Sequence, residues 1–227
     1  MDRFRLGGVP GVTPAKWMRV WGERVPGTPM ELVQLEEAEA VAALVAGELD
    51  AALVRLPVED ERLHVVPLYA ELAVVVVPKG HPVVAFDDVA LADLAGEARV
   101  ERGGMTAAQH LEVVASGAGI AIVPMSVARA LGGPETRHRV VVDVEPTRIA
   151  LAWRRTDDSD LHQELAAIVR GRTARSSRGA EREAEEPATP TSQRRQPAKA
   201  RGPQRGQKPG KGQRPAAGRK PGKGRRR

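Results

Sequence analysis

The sequence contains no cysteine, and that single absence removes disulfides, thiolate nucleophiles and thiolate metal sites together. Aromatic residues are scarce as well, at 3% of 227 residues, with one tyrosine and two phenylalanines. No stretch approaches the ~18–20 consecutive apolar residues of a membrane span. The opening MDRFRLGGVPG has no apolar core of the kind a signal peptide needs. A cytoplasmic protein with no membrane partner is the expectation. The five histidines, His64, His81, His110, His138 and His162, show no metal-ligand spacing, so each reads as a surface or turn residue. We expect no metal and no cofactor.

What is present divides into two parts. Overall, 41% hydrophobic and 28% charged residues are ordinary for a soluble chain able to bury one good core or two small ones. Residues 171–227 hold 18 Lys/Arg against 4 Glu, leaving 17 basic and 25 acidic residues in 1–170. An acidic body therefore carries a strongly basic C-terminal segment, and 187–227 has no acid at all. From about Ser176 the composition collapses into Arg, Lys, Gly, Pro, Gln and Ala. Such a segment has too few apolar residues to fold alone, so we expect a disordered tail over 176–227.

The body is organised around AEAVAALVAGELDAALVRLP, residues 38–57. Val41, Leu44 and Val45 fall at helical spacing, Gly47 stops the helix, and Ala51–Leu56 reads as a buried strand closed by Pro57. TAAQHLEVVASGAGIAIVP, residues 106–124, repeats this grammar, with Gly117 and Gly119 ending a helix before the strand Ile120–Val123. Two copies imply two α/β lobes. Between and around them the chain reads as a strand at 3–9, a helix to about Arg24 with Thr13 as N-cap, a strand Met30–Leu35, strands Leu63–Leu68 and Leu72–Pro78, a helical turn at 89–95, and a brief strand near 98–101. It continues with a helix Met125–Leu131, strands Arg139–Val144 and Arg148–Ala152, and a closing helix Asp158–Arg170 with Leu161, Leu165 and Ile168 inward.

These residues resemble the effector-binding domain of LysR-type transcriptional regulators, which has the type 2 periplasmic-binding-protein fold. LVAGELDAALVRLP (44–57), VVVVPKGHP (74–82), DVALADLAGE (88–97), VVASGAGIAIVP (113–124) and IALAW (149–153) carry the resemblance, over about 3–170. It implies a domain at 1–175, with lobe 1 from about 1–73 plus 150–175 and lobe 2 from about 74–149. A small effector would sit in the cleft between the lobes. The winged helix-turn-helix that precedes this domain in the family has no counterpart before the first strand, so sequence-specific DNA reading is not carried over. A strand-and-helix unit that the family has between Glu97 and Thr106 is also nearly absent, so lobe 2 should be small.

In this fold the first helix of each lobe aims its N-terminus at the cleft, offering N–H groups to an anion. The matching positions are Gly11 and Thr13 in lobe 1 and Gly104 and Thr106 in lobe 2, although both threonines read equally well as ordinary N-caps. Glu36, Leu56, Pro57 and Pro124 are further cleft candidates for a small organic carboxylate effector, with packing as their other reading. Glu36, Glu37 and Glu39 together also read as a complement to a helix dipole. The glycines of SGAGIA follow a helix rather than a strand, which argues against a nucleotide fingerprint. Ser126 reads as a helix cap, no Ser-His-Asp order stands out, and we expect a binding protein, not an enzyme. An enzyme on the same two-lobed fold, and a ligand-free interaction scaffold, are the competing readings.

Trp17 and Trp21 lie one helical turn apart and read either as core or as the interface of a homodimer, the arrangement this family uses for its first helix. The tail residues Arg194, Arg195, Lys199, Arg201, Arg205, Lys208, Lys211, Arg214, Arg219, Lys220, Lys223, Arg225, Arg226 and Arg227 are candidates for nucleic-acid binding. With no aromatic among them to stack on bases, they should read charge and not sequence.

Overall fold

A computed structural model describes residues 3–171. The strands are β1 (Phe4–Gly8), β2 (Met30–Gln34), β3 (Ala51–Arg55), β4 (Leu63–Glu71), β5 (Ala73–Pro78), β6 (Asp88–Val89), β7 (Ala121–Pro124), β8 (Thr136–Val141) and β9 (Thr147–Arg154). The α-helices are α1 (Ala15–Arg24), α2 (Glu37–Ala46), α3 (Ala107–Ala115), α4 (Met125–Leu131) and α5 (Asp160–Val169). The strands form two sheets, in the orders β2-β1-β3-β9-β4 and β6-β8-β5-β7. We call each sheet with its helices a lobe. The α/β class and the two-lobed organisation expected from the sequence are both present.

In the first lobe β1 pairs in parallel with β2 and β3, because α1 and α2 are the crossovers that parallel neighbours require. α2 ends where Gly47 adopts φ +82, and the Glu48 N–H then reaches back to the Ala43 carbonyl at 3.0 Å. That reversal feeds β3 into the sheet centre. Its Ala51, Ala52, Leu53 and Val54 are all 1% exposed or less, as a strand covered on both faces demands. β9 joins it antiparallel, and β4 forms the far edge. An edge position explains how a strand can contain Pro67: its missing N–H faces no partner strand, and the register shifts between Pro67 and Tyr69. β4 therefore runs to Glu71 and not, as expected, to Leu68.

Leu72 alone separates β4 of the first sheet from β5 of the second. The valines of β5 alternate in duty. Val74 and Val76 pack with Leu111 and Val114 of α3 and with Val127 and Ala128 of α4, while Val75 and Val77 pack with Val83, Leu94 and Ile120 on the opposite face. β5 is thus the two-sided core of the second lobe, as its four consecutive valines suggested. Two expectations fail here. Residues 98–101 contribute only an isolated bridge between Arg99 and Ile120, and β8 lies at 136–141 instead of 139–144.

α1 begins after Pro14, which occupies the N-cap position with no side-chain cap bond, so Thr13 is not the cap the sequence suggested. Trp21 is 0% exposed, donates its indole N–H to the Thr28 carbonyl at 2.7 Å and lies 4.8 Å from the Phe4 ring, centroid to centroid. A side chain sealed inside its own lobe offers nothing to a second subunit, which corrects the interface reading for Trp21. Trp17 is half-buried, with its ring 6.4 Å from that of Tyr69.

Candidate functional site

The charged residue that ends the apolar strand β3, Arg55, is the centre of the contact between the lobes. Its side chain is 5% exposed. Nε donates to Glu71 Oε2 at 2.9 Å, Nη1 donates to Glu37 Oε1, and Nη2 reaches the Pro10 carbonyl at 3.2 Å and Ser126 Oγ at 3.4 Å. Pro10, Glu37 and Glu71 belong to the first lobe and Ser126 to α4 of the second, so one guanidinium ties four segments. Beside it, Gly11 is packed so tightly on α4 that an added Cβ would lie 2.6 Å from Ser126 Oγ and 2.7 Å from the Val127 nitrogen. Its φ of +88 is a second reason for glycine there.

A second bridge runs from Glu36, just before α2, to the start of α3. The Glu36 carboxylate accepts from Arg102 Nη2, and its two oxygens lie 3.4 and 3.3 Å from the Ala107 N–H. Arg102 is itself held by a bond from its Nε to the Met105 carbonyl at 3.2 Å. Thr106 is the true N-cap of α3: its Oγ1 accepts from the Gln109 N–H at 3.2 Å, while Gln109 Oε1 accepts from the Thr106 N–H at 2.9 Å.

These bridges divide the expected cleft. Glu36, Gly104 and Thr106 line one cavity of about 430 Å³, and Gly11 and Thr13 line another of about 490 Å³ with Tyr69, Glu71 and Ser126. Leu56 and Pro57 face a third of about 550 Å³, and Pro124 a fourth of about 290 Å³. The eight candidates therefore do not meet in one open groove, because Arg55 and the contact of Gly11 with α4 fill its middle.

The electrostatics of the seam are acidic. Arg55 and Arg102 face Glu36, Glu37 and Glu71, and Glu71 Oε1 is buried with no hydrogen-bond partner. Burial raises the Tyr69 phenol above its ordinary value, the Glu71 charge adds to that, and Arg55 opposes it. Sequence reasoning passed over Arg55, Glu71 and Arg102, and it read Ser126 as a cap, although Pro124 holds that position with no side-chain cap bond. The available signal was a lone arginine closing an otherwise apolar strand.

Two histidines also depart from expectation. His110 and His162 are each 6% exposed, His110 Nε2 lying 2.7 Å from the Val100 carbonyl and His162 Nε2 3.1 Å from that of Asp50. Both tie loops to helices. Among the described residues no group of His, Asp or Glu is placed to hold a metal ion, and no helix is long and apolar enough to cross a membrane. The nucleic-acid candidates Arg194 to Arg227 lie outside the described residues.

Residues 2–107 match the family model of the LysR substrate binding domain. This part of the chain is similar to a LysR-type substrate-binding domain. The chain is 39% identical, over 82 residues, to a probable hydrogen peroxide-inducible genes activator of Mycobacterium xenopi, covering 35% of this chain and 43% of that one. A protein of the same name from Mycobacterium avium is 37% identical over 97 residues, 40% of this chain and 31% of the relative. The chain thus matches less than half the length of these relatives, which are named as activators. Its fold is that of the BenM effector binding domain with its effector benzoate, at a TM-score of 0.62 and 20% identity over 82% of this chain and 96% of the other. The reduced OxyR regulatory domain of Pseudomonas aeruginosa is similar at a TM-score of 0.59 and 21% identity, over 74% and 95%. The type 2 periplasmic-binding-protein-like fold implied by the sequence resemblance is therefore present.

Proposed function

We propose that this LysR-type domain senses a small organic carboxylate in the seam between its lobes, and that the Lys/Arg-rich C-terminal segment holds the protein on nucleic acid without reading sequence. The observation that carries the sensing reading is the polar seam. Lobes joined by ion pairs at Arg55 and Arg102 can exchange those partners for a charged ligand, whereas an apolar seam would offer a carboxylate nothing. A regulator needs such an exchangeable contact, since a ligand shifts an equilibrium only through different contacts in the two states. Two relatives are named for response to hydrogen peroxide, but with no cysteine this chain has no thiol to oxidise, so a reversibly bound ligand is the reading that fits. The half-buried Trp17 of α1, beside Tyr69, is the residue we assign to a homodimer contact.

Thermal unfolding of the full chain with a panel of organic acids and neutral analogues tests the sensing reading, because a ligand of the folded state raises the melting temperature by mass action. Acids should raise it at millimolar concentration. Stabilisation by neutral compounds alone would remove the carboxylate assignment. The seam's own side chains, which occupy its middle, favour a second reading in which the domain is an interaction scaffold. That reading requires that no small molecule in the panel changes the melting temperature.

A further inference from the structure

We propose that Glu36 is the resident occupant of a carboxylate site built by Arg102 and the N-terminus of α3, and that a carboxylate effector binds by displacing it. The inference rests on the carboxylate-sensing reading above and adds how that site is regulated. The observation that points to the ligand class is a carboxylate already seated there. Glu36 belongs to the first lobe, yet its oxygens accept from Arg102 and the Ala107 N–H of the second.

The receiving half of this site stands without Glu36. Arg102 is fixed by its Nε bond to the Met105 carbonyl, and Thr106 with Gln109 closes the first turn of α3 while leaving the Ala107 N–H free of intrahelical partners. The departing half is equally independent. The start of α2 keeps its own capping bond when Glu36 turns away, because Glu39 Oε2 accepts from the Glu36 N–H at 3.2 Å. Glu36 is 28% exposed at its side chain, so water is within reach of a rotated carboxylate. Its two bonds to the Ala107 N–H are long, at 3.4 and 3.3 Å, and a free acid unconstrained by the backbone can approach closer. The adjoining cavity of about 430 Å³, lined by Glu36, Arg102, Gly104 and Thr106, has room for the body of a small acid.

Two consequences follow from competition at one position. The unmutated protein holds carboxylates weakly, since the intrinsic affinity is reduced by the fraction of molecules in which Glu36 has vacated the site. Displacement also breaks the Glu36 tie between the first lobe and the start of α3 and leaves Glu37 Oε2, 4.0 Å from Arg102 Nη1, as the remaining link there, which makes binding a change in how the lobes are tied.

The test is titration calorimetry of the full chain with benzoate and acetate as probes and benzamide as the neutral control. Glu36→Gln should bind benzoate roughly tenfold to a hundredfold more tightly than the unmutated protein, the range set by losing a charge-assisted internal competitor. Benzamide should show no such gain, and adding Arg102→Gln to Glu36→Gln should abolish it. Circular dichroism establishes that each variant is folded. Equal benzoate affinity with and without Glu36, or a gain that survives Arg102→Gln, overturns displacement while leaving carboxylate sensing intact. If neither protein binds either acid at millimolar concentration, the displacement proposal falls together with the reading on which it rests.

Discussion

Arg55 donates from Nε to Glu71 Oε2 at 2.9 Å, with 5% and 4% of the two side chains exposed, so the tie between strands β3 and β4 is a desolvated ion pair. Removing one member of such a pair strands the other charge in a medium that cannot solvate it.

Arg55→Ala should therefore cost about 3–5 kcal/mol, the usual consequence of leaving a buried carboxylate uncompensated. Replacing both members, as Arg55→Met with Glu71→Leu, should cost less than the single change, because no buried charge remains and Glu37, at 35% exposure, can turn to water. Urea unfolding of the three proteins checks the order. A double variant less stable than Arg55→Ala would mean that the pair, and not the avoidance of a lone charge, holds this region.

Trp21 and Trp17 should separate cleanly. Trp21→Ala empties a fully buried site and deletes the bond to Thr28, for an expected loss of about 3–5 kcal/mol. Trp17→Ala should cost less than half of that, since the ring is only half-buried. Denaturation midpoints decide the matter, and comparable losses for both would show that Trp17 is also core.

The contrast between these two tryptophans marks where the sequence stops being informative. Helical spacing put Trp17 and Trp21 on one face but could not say which of them the sheet would cover, because that depends on the angle at which α1 lies on β1 and β2. The helix, glycine and strand at 41–55 were legible since each local preference agreed with the next: apolar spacing, a left-handed Gly47 and a run of small apolar residues. β8 was misplaced by three residues because its extent is set by pairing with β5, where Arg137 lies opposite Val77 and His138 opposite Val76. The acidic Glu36 and Glu37 were visible as a cluster. Their partners Arg102 and Arg55 were not, since contacts across 66 and 18 residues have no local signature.

His138 gives the domain a pH dependence of known sign. Burial first, then the charges of Arg129 and Arg139, hold its imidazole below the ordinary 6.5. The unfolded chain therefore takes up the proton before the folded one, and stability present above pH 6.5 is lost as the pH falls through the lower folded value. His138→Gln should flatten this part of the profile while changing little at pH 8. Urea midpoints between pH 8 and pH 5 measure it, and an unchanged slope in the variant would exclude His138 as the source.

The C-terminal segment offers the most direct test, because its composition alone fixes a magnitude. Residues 187–227 carry 14 Lys/Arg and no acid. Each phosphate neutralised on duplex DNA contributes about −0.9 to the slope of log K against log salt. If ~6 of these charges engage together, affinity should drop roughly a thousandfold between 50 and 200 mM salt. Sequence should hardly matter, because contacts to phosphates position a protein without specifying bases. A chain ended at Gly179 keeps every described residue and loses those charges, so it should fold as before and no longer bind duplexes at low salt. Fluorescence titration of both chains on two unrelated duplexes compares them directly. Equal binding by the two chains, or a strong preference of the full one for a single duplex, would locate the nucleic-acid contact elsewhere.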